Sequence, residues 1–278
     1  MVGRKRKAAG RTNGETAAKV TSFHRLVPNM ITIAALCAGL SAIQFAIAGR
    51  FEAAVLAIVA AAFLDAFDGA AARILNASSK LGAELDSLSD FLCFGVAPAL
   101  VLHLWSLHMF GRIGWIVTLV FAVAVALRLA RFNAAGKENP DVNRSYFSGV
   151  PSPTGAGMAI LPMIISFQMD APADGAMLLV QRPEFVGLWM LLFAGLMVSY
   201  VPTFSTKQIR LPPKLVIPAL CAFGLMAAGL INAPWQTLTA MGVIYGLSIP
   251  VSAWLAWRKE MSKQVSAAEK DSDNIDSK

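Results

Sequence analysis

Long apolar stretches, separated by short polar connections, dominate the sequence. A transmembrane helix needs about 20 mainly apolar residues, and most of the stretches approach or exceed that length. Because lipid offers the backbone no hydrogen-bond partners, a spanning segment must satisfy its own N–H and C=O groups, which favours helices. The sequence therefore predicts an all-α, polytopic membrane helix bundle with eight transmembrane helices, at residues 30–48, 52–75, 83–105, 113–132, 153–169, 186–203, 214–231 and 236–257.

The composition and the placement of charge agree with a membrane protein. Hydrophobic residues make up 56% of the chain and charged residues 15%, whereas soluble domains carry about 25% charged residues. The net charge of +7 fits either a nucleic-acid-binding face or basic loops on one side of a membrane. With a cytoplasmic N-terminus, eight spans place 21 Lys and Arg residues on the cytoplasmic side and 3 on the other. This split follows the positive-inside rule, predicts that both termini are cytoplasmic, and argues against nucleic acid as a partner.

Polar segments flank the apolar region. Residues 1–25 form a basic cytoplasmic segment that is predicted to be partly disordered, with an interfacial helix over 15–27. Residues 26–257 form the membrane domain, and residues 258–278 form a charged cytoplasmic tail. We therefore expect one membrane domain between two cytoplasmic segments.

Five acidic residues interrupt the apolar pattern in or beside the second and third spans. A carboxylate at membrane depth costs at least about 2.5 kcal/mol, so such groups persist when they are paired, bind a metal or face water. One interpretation is a structural network or solvation at helix ends, and the other is a functional site, which the ordered spacing favours. The residues are Asp65, Asp68, Glu84, Asp86 and Asp90.

The spacing brings four of these carboxylates together. Residues 65, 68, 69, 72 and 73 are three or four apart and share one helix face, and Asp86 and Asp90 share a face of the next helix. The short connection 74–82 makes the two helices antiparallel neighbours. Oxygen-only donors suit Mg²⁺ or Mn²⁺ rather than zinc, and two ions about 3.5–4 Å apart suit phosphoryl chemistry. A divalent metal site at the cytoplasmic end of this hairpin follows.

The same helix face also offers room and charge for a phosphate ligand. Gly69 and Ala72 remove side-chain bulk, which leaves space against the backbone. Arg73 supplies a planar guanidinium that suits phosphate geometry. The face therefore combines metal ligands with features that favour a phosphate-containing ligand.

These residues form a pattern that resembles a family signature. The pattern is D-x2-D-G-x2-A-R-x8-G-x3-D-x3-D, and all eight fixed positions are present between Asp65 and Asp90. It is similar to the signature of the CDP-alcohol phosphatidyltransferase family. The resemblance implies a membrane enzyme that cleaves a CDP-linked lipid, in which an acceptor hydroxyl attacks the phosphorus next to the lipid and CMP leaves. It also implies a homodimer.

The resemblance assigns roles to individual residues. It implies that Asp90 is the general base for the acceptor hydroxyl, and that four aspartates hold two divalent ions, Mg²⁺ or Mn²⁺. The implied metal ligands are Asp65, Asp68, Asp86 and Asp90. The expected CDP-lipid-binding residues are Asn29, Thr32, Asp68, Gly69, Ala72, Arg73 and Gly82.

Segments outside the signature resemble the group within this family that uses serine as the acceptor. With the signature, the resemblance covers roughly residues 24–215, and its segments are 26–32, 89–99, 126–133, 147–153 and 201–207. It implies transfer of the phosphatidyl group from CDP-diacylglycerol to L-serine, giving phosphatidylserine and CMP. The expected location is the cytoplasmic (inner) membrane, with the active site on the cytoplasmic side and membrane lipids as surroundings.

Acceptor binding is predicted near the end of the fourth span. Arg128 and Arg131 are three residues apart, and each either anchors the span or binds the serine carboxylate through its guanidinium. Asn133 and Ser148 lie in the long connection 133–152, which is either a functional loop or a plain connector. Glycerol phosphate, inositol phosphate and choline are alternative acceptors, although a phosphorylated acceptor needs additional basic residues.

Two further hypotheses come from other classes of protein. An ion-coupled transporter predicts carboxylates near mid-bilayer and repeated halves, but spans five to eight contain no second acidic cluster. A non-catalytic membrane scaffold has no need for the complete Asp, Gly and Arg set. The enzyme hypothesis is therefore favoured over both.

Overall fold

The computed structural model describes residues 26–75, 79–138, 146–148, 150–169, 179–199, 202–204 and 216–249. The predicted segments 1–25 and 258–278, and the end of the eighth predicted span, lie outside these residues. Helices dominate the described part. They are α1 (Val27–Ile47), α2 (Phe51–Ile74), α3 (Lys80–Asp90), α4 (Ala97–Trp105), α5 (Gly111–Glu138), α6 (Ser152–Ala159), α7 (Leu161–Ser166), α8 (Pro183–Val198), α9 (Val216–Asn232) and α10 (234–249).

Four of the described helical segments are long and apolar enough to cross a membrane. They overlap the first four predicted spans, which supports a membrane helix bundle. Two shorter apolar helices follow at Pro183–Val198 and Leu220–Asn232, so the total of eight spans stays a prediction. The four segments are Val27–Ile47, Phe51–Ile74, Lys80–Trp105 and Leu107–Ala134, with mean hydropathies of 2.0, 1.8, 1.6 and 2.3.

A tight turn joins α1 to α2. Gly49 has a φ of +72°, a left-handed conformation that glycine adopts without strain. The Gly49 N–H donates to the Ala46 carbonyl and the Arg50 N–H to the Phe45 carbonyl, the pair of bonds that defines a Schellman helix end. This turn makes α1 and α2 adjacent partners along their length.

Small residues let α1 approach its neighbours closely. Ala42 and Ala46 of α1 and Ala54 of α2 are buried. On another face of α1, a Cβ atom at Gly39 would lie 2.7 Å from Cys93 Sγ and 3.3 Å from Cys93 Cα. Such contacts are how membrane helices associate when lipid removes the hydrophobic driving force. As a result, α1 lies against both the α2 and the α3 segments, which carry the acidic residues.

A π-helical turn follows Asp90 directly. It spans Phe91–Val96 and separates α3 from α4. Pro98 lies in the first turn of α4 and has no N–H to donate to the carbonyl of Phe94, four residues earlier. The wider turn shifts the faces of α3 and α4 relative to each other, as such turns often do next to functional residues.

The structure divides the fifth predicted span into two short helices. In place of one helix over 153–169, α6 ends at Ala159 and α7 begins at Leu161. Pro162 has no N–H for the carbonyl of Met158, four residues earlier. That carbonyl instead accepts a hydrogen bond from Trp189 Nε1 of α8 at 2.7 Å. The helix break therefore leaves a carbonyl that connects this region to α8 through a hydrogen bond.

One short β-ribbon departs from the all-α prediction. Strand β1 (Tyr146–Ser148) pairs antiparallel with β2 (Pro202–Phe204), with Phe147 opposite Thr203. The two strands belong to the segments 147–153 and 201–207, in which the family resemblance was noted. The ribbon therefore joins the segment before α6 to the segment after α8.

The close approach at Gly39 can be tested by adding a side chain. Gly39→Val should destabilise the protein by about 1–3 kcal/mol, because the new atoms collide with Cys93 and its backbone. Thermal unfolding of the detergent-solubilised protein measures the effect. Gly224→Val on α9 is the matched control, since nothing lies within 4 Å of its Cβ position. Equal unfolding temperatures for the two variants would contradict this packing.

Candidate active site

Three carboxyl groups from two helices meet at one end of the bundle. Asp65 and Asp68 lie on α2 and Asp86 lies on α3, and each offers an oxygen within 4.8 Å of the other two. The spacing of three residues places the first two on one face of α2. Asp68 is buried, with 4% of its surface exposed. The predicted convergence of these three side chains is present in the structure.

Asp90 joins the cluster through Asp65. A hydrogen bond connects the carboxyl groups of the two residues. Two carboxylates at this distance repel each other unless they share a proton or a cation lies between them. Asp90 Oδ1 is buried, and among the described residues it has no hydrogen-bond partner. The fourth predicted carboxylate therefore has an oxygen available for a ligand.

The donor set fits a hard divalent cation. All of the candidate ligand atoms are carboxylate oxygens, which magnesium and manganese prefer, whereas zinc sites favour nitrogen and sulfur. A cation here would compensate the repulsion among the aspartates. The residues present are thus compatible with the predicted class of metal.

A cleft of about 160 Å³ opens beside the carboxylates. It lies among α1, α2 and α3. Six of the seven predicted CDP-lipid-binding residues line it, and Arg73 is the exception. The lining residues are Pro28, Asn29, Thr32, Asp68, Gly69, Ala72, Ser79, Gly82, Ala83 and Asp86.

Thr32 connects the cleft to the carboxylate cluster. Its hydroxyl donates to Asp68 Oδ2 at 2.5 Å. The carbonyl of Thr32 accepts a hydrogen bond from the Ser89 hydroxyl of α3 at 3.4 Å. One residue of α1 therefore contacts both helices that carry the aspartates and orients Asp68.

Two glycines give the cleft its shape. A Cβ atom at Gly82 would lie 2.8 Å from Asn29 Oδ1 and 3.0 Å from Ser79 Oγ, so any larger residue would displace these groups. A Cβ atom at Gly69 would meet only Arg73 Nη2, at 3.9 Å. The guanidinium of Arg73 therefore lies beside the Gly69 face, although Arg73 does not line the cleft itself.

Ser79 is a cleft residue that the sequence analysis missed. Its hydroxyl accepts a hydrogen bond from the Gly82 N–H at 2.9 Å and caps the start of α3. The N-terminal end of a helix carries partial positive charge and unpaired N–H groups, which favour anions. Serine is a preferred N-cap residue, so the position of Ser79 three residues before Gly82 could have identified it from the sequence.

Arg128 lies buried on α5, near the aspartates. Only 9% of its surface is exposed, and its Nη1 donates to the hydroxyl of fully buried Ser152 at 2.5 Å. Asp90 is the carboxylate that interacts with it electrostatically. Arg128 Nε is buried and has no hydrogen-bond partner among the described residues. A buried cation with an unpartnered N–H is costly, so this group has capacity to bind an anion.

The other predicted acceptor residues are placed differently. Arg131 Nη1 donates to the carbonyl of Val198 on α8 at 2.8 Å, and Asn133 Nδ2 donates to the hydroxyl of Ser87 on α3 at 2.9 Å. Ser148 lies in β1, where only the backbone is described. Among these residues, Arg128 is buried and interacts electrostatically with Asp90.

Three further polar residues had no role in the sequence analysis. Ser152 accepts the hydrogen bond from Arg128, and the hydroxyls of Thr154 and Tyr245 lie 3.4 Å apart. Ser152 and Thr154 lie in the first turn of α6, and Tyr245 lies on α10. Tyr245 interacts electrostatically with Arg128. Ser152 stands in the segment 147–153 and could have been identified there. Tyr245 is one of several polar residues scattered in an apolar span and carried no signal.

Known proteins resemble the chain along most of its length. The family model described as CDP-alcohol phosphatidyltransferase matches residues 25–201, and a second, described as CDP-alcohol phosphatidyltransferase 2, matches residues 214–250. The first match includes every candidate site residue that was predicted, and the second includes Tyr245.

Several curated relatives carry the name CDP-diacylglycerol–serine O-phosphatidyltransferase. The protein from Mycobacterium bovis is 36% identical over 243 residues, which is 85% of this chain and 82% of the relative. The protein from Helicobacter pylori is 32% identical over 222 residues, covering 80% and 87% of the two chains. The Bacillus subtilis protein is 40% identical over 141 residues, 51% of this chain and 75% of the relative. Together with the family match over the carboxylate cluster, these similarities show that the chain belongs to the CDP-alcohol phosphatidyltransferase family.

Proposed function

We propose that the protein transfers the phosphatidyl group of CDP-diacylglycerol to L-serine, giving phosphatidylserine and CMP. One observation carries the choice of acceptor: Asp90 Oδ1 and Arg128 Nε are both buried, and neither has a hydrogen-bond partner among the described residues. Serine offers a hydroxyl proton to the first group and a carboxylate to the second. The printed names of the relatives agree with this choice.

The reaction is a substitution at phosphorus. The serine hydroxyl oxygen forms a bond to the phosphorus that carries diacylglycerol, and the bond from that phosphorus to the oxygen bridging to CMP breaks. CMP leaves with the electron pair, and the hydroxyl proton passes to Asp90. A base of this kind needs a free oxygen within hydrogen-bonding reach of the hydroxyl, and Asp90 Oδ1 is such an oxygen.

The aspartates are proposed to hold two divalent ions, Mg²⁺ or Mn²⁺. Bound there, the ions would neutralise the diphosphate and the charge that develops on the leaving group. Thr32 keeps Asp68 oriented through its hydrogen bond. The proposed ligands are Asp65, Asp68, Asp86 and Asp90.

The cleft among α1, α2 and α3 is proposed to bind the cytidine diphosphate. Asn29 and Thr32 offer polar contacts, and Gly69 and Gly82 leave room for the ligand. The N-terminal end of α3 and the nearby Arg73 guanidinium complement phosphate charge. This arrangement places the diphosphate between the cleft and the aspartates.

The buried guanidinium of Arg128 favours serine over the alternative acceptors, because serine carries one carboxylate. Choline carries no anionic group for the buried guanidinium, whose Nε would stay without a partner among the described residues. Glycerol phosphate and inositol phosphate carry more negative charge than one arginine balances, and Arg131 and Asn133 already bind Val198 and Ser87. A single carboxylate matches Arg128, the buried cation that interacts electrostatically with Asp90.

The topology that we propose has eight spans and two cytoplasmic termini, in the cytoplasmic membrane. Its support is the distribution of 21 basic residues on one side and 3 on the other. In this topology the carboxylate cluster opens to the cytoplasm, where serine and CMP are soluble. A homodimer stays a prediction from the family resemblance.

The acceptor can be identified by measuring CMP release. Purified protein with CDP-diacylglycerol and Mg²⁺ or Mn²⁺ should release CMP when L-serine is added and should form phosphatidylserine. Glycerol phosphate, inositol phosphate and choline should give little turnover, because Arg128 matches one carboxylate. Serine-independent CMP release, or a preference for glycerol phosphate, would contradict the proposal.

Asp90→Asn should lower turnover about 100-fold or more, the usual contribution of a positioned general base. The amide keeps the shape of the side chain but does not accept the proton, so binding of the CDP-lipid should stay measurable. Glu84→Gln is the matched control, because Glu84 lies on the same helix and does not line the cleft. Wild-type activity in Asp90→Asn would exclude the base role.

Metal binding can be measured without turnover. Asp86→Asn should weaken Mn²⁺ binding about tenfold or more, because one carboxylate ligand loses its charge. Titration followed by electron paramagnetic resonance reports the bound fraction. Glu52→Gln, in the first turn of α2 and so at the opposite end of the helix from Asp68, should bind Mn²⁺ like the wild type. Unchanged Mn²⁺ affinity in Asp86→Asn would exclude it as a ligand.

A further inference from the structure

The first turn of α6 contacts Arg128 through Ser152 and α10 through Thr154. Ser152 accepts the hydrogen bond from Arg128 Nη1. Two residues later, the hydroxyl of Thr154 lies 3.4 Å from the Tyr245 hydroxyl of α10 and 2.9 Å from the carbonyl of Pro151. One helical turn therefore contacts both the buried Arg128 guanidinium and the Tyr245 hydroxyl.

Two glycines place Tyr245 at this position. They lie three residues before and one residue after it on α10. A Cβ atom at Gly242 would lie 2.7 Å from Leu161 Cδ1, and one at Gly246 would lie 3.1 Å from Met158 Cε. The absence of side chains lets α10 approach α6 and α7 closely. Tyr245 is partly buried against the core as a result.

We propose that Tyr245, together with Ser152, positions the Arg128 guanidinium for the acceptor carboxylate. This inference rests on the proposed function. It adds a positioning residue that lies outside the first family match, because that match ends at residue 201. The C-terminal helices thereby take part in acceptor selection. Their own family match, over residues 214–250, contains Tyr245.

The physical reason is preorganisation. A long arginine side chain loses rotamer freedom when it binds a ligand, and partners that hold it beforehand reduce that cost. Ser152 holds one end of the guanidinium, and the contact between Tyr245 and Thr154 holds the helical turn that carries Ser152. Arg128 Nε stays without a hydrogen-bond partner among the described residues, so it is an N–H that can bind the carboxylate.

Selectivity follows from the same arrangement. Ethanolamine has the structure of serine without the carboxylate. It therefore leaves Arg128 Nε without a partner in a buried site. A site built around a polar substrate group rejects the analogue that lacks it, because its own polar group then loses its partner. Tyr245 should therefore affect the use of serine and not the use of ethanolamine.

Tyr245→Phe tests the inference, because it removes the hydroxyl and keeps the ring. The KM for serine should rise about tenfold, because the turn that carries Ser152 loses a hydrogen bond to α10 and holds Arg128 less firmly. The kcat and the KM for CDP-diacylglycerol should stay within about twofold of wild type, and any residual turnover of ethanolamine should not change. Thr154→Val, which removes the neighbouring hydroxyl, should shift the serine KM in the same direction.

Thr239→Val is the matched control on α10. The hydroxyl of Thr239 accepts a hydrogen bond from Gln168 Nε2 at 2.7 Å, and neither residue contacts Arg128. Its serine KM should equal that of the wild type. An unchanged serine KM in Tyr245→Phe, or an equal loss with serine and ethanolamine, would overturn the positioning role.

A double variant separates positioning from general packing. If Tyr245 acts through Arg128, Tyr245→Phe should add little to the loss caused by Arg128→Lys, because lysine does not present the same planar N–H groups. Fully additive losses would overturn the inference. Failure of the proposed function is a distinct result, since the wild-type protein would then show no serine-dependent CMP release.

Discussion

Negative charge inside a membrane bundle is the constraint on which this structure depends. Asp65, Asp68 and Asp86 bring oxygens within 4.8 Å of one another, and Asp90 is hydrogen-bonded to Asp65. Such a group is stable only if a proton, a cation or a strong donor compensates the repulsion. The Thr32 hydroxyl provides one donor. The close packing of α1 against the helices that carry the aspartates makes that hydrogen bond possible.

Packing between distant parts of the chain adds the second half of the site. Arg128 comes from α5, Ser152 from α6 and Tyr245 from α10. The buried guanidinium has the sign opposite to the aspartates, yet its Nε has no hydrogen-bond partner among the described residues. A substrate with both a hydroxyl and a carboxylate would satisfy Asp90 and Arg128 together. The proposed acceptor therefore complements two groups of opposite charge, which lie on different helices.

Much of the fold could be predicted because its signals are local. Apolar length predicted the first four spans, and helical spacing placed Asp65 and Asp68 on one face. The fifth span was predicted as one stretch with a kink or an end at Pro162, and the structure breaks it there into α6 and α7. The ribbon between Tyr146–Ser148 and Pro202–Phe204 was missed, because three-residue strands have no periodicity to detect and their pairing joins segments more than 50 residues apart.

The order of residues along the chain was enough to identify the family chemistry, since one pair of consecutive helices carries the whole signature from Asp65 to Asp90. Short spacings on neighbouring helices translate directly into proximity. Only the tertiary structure decided that Arg128 donates to Ser152 whereas Arg131 donates to Val198, and that Tyr245 lies beside Thr154. Those contacts depend on how α5, α6, α8 and α10 pack, and no local pattern records a contact between helices far apart in sequence.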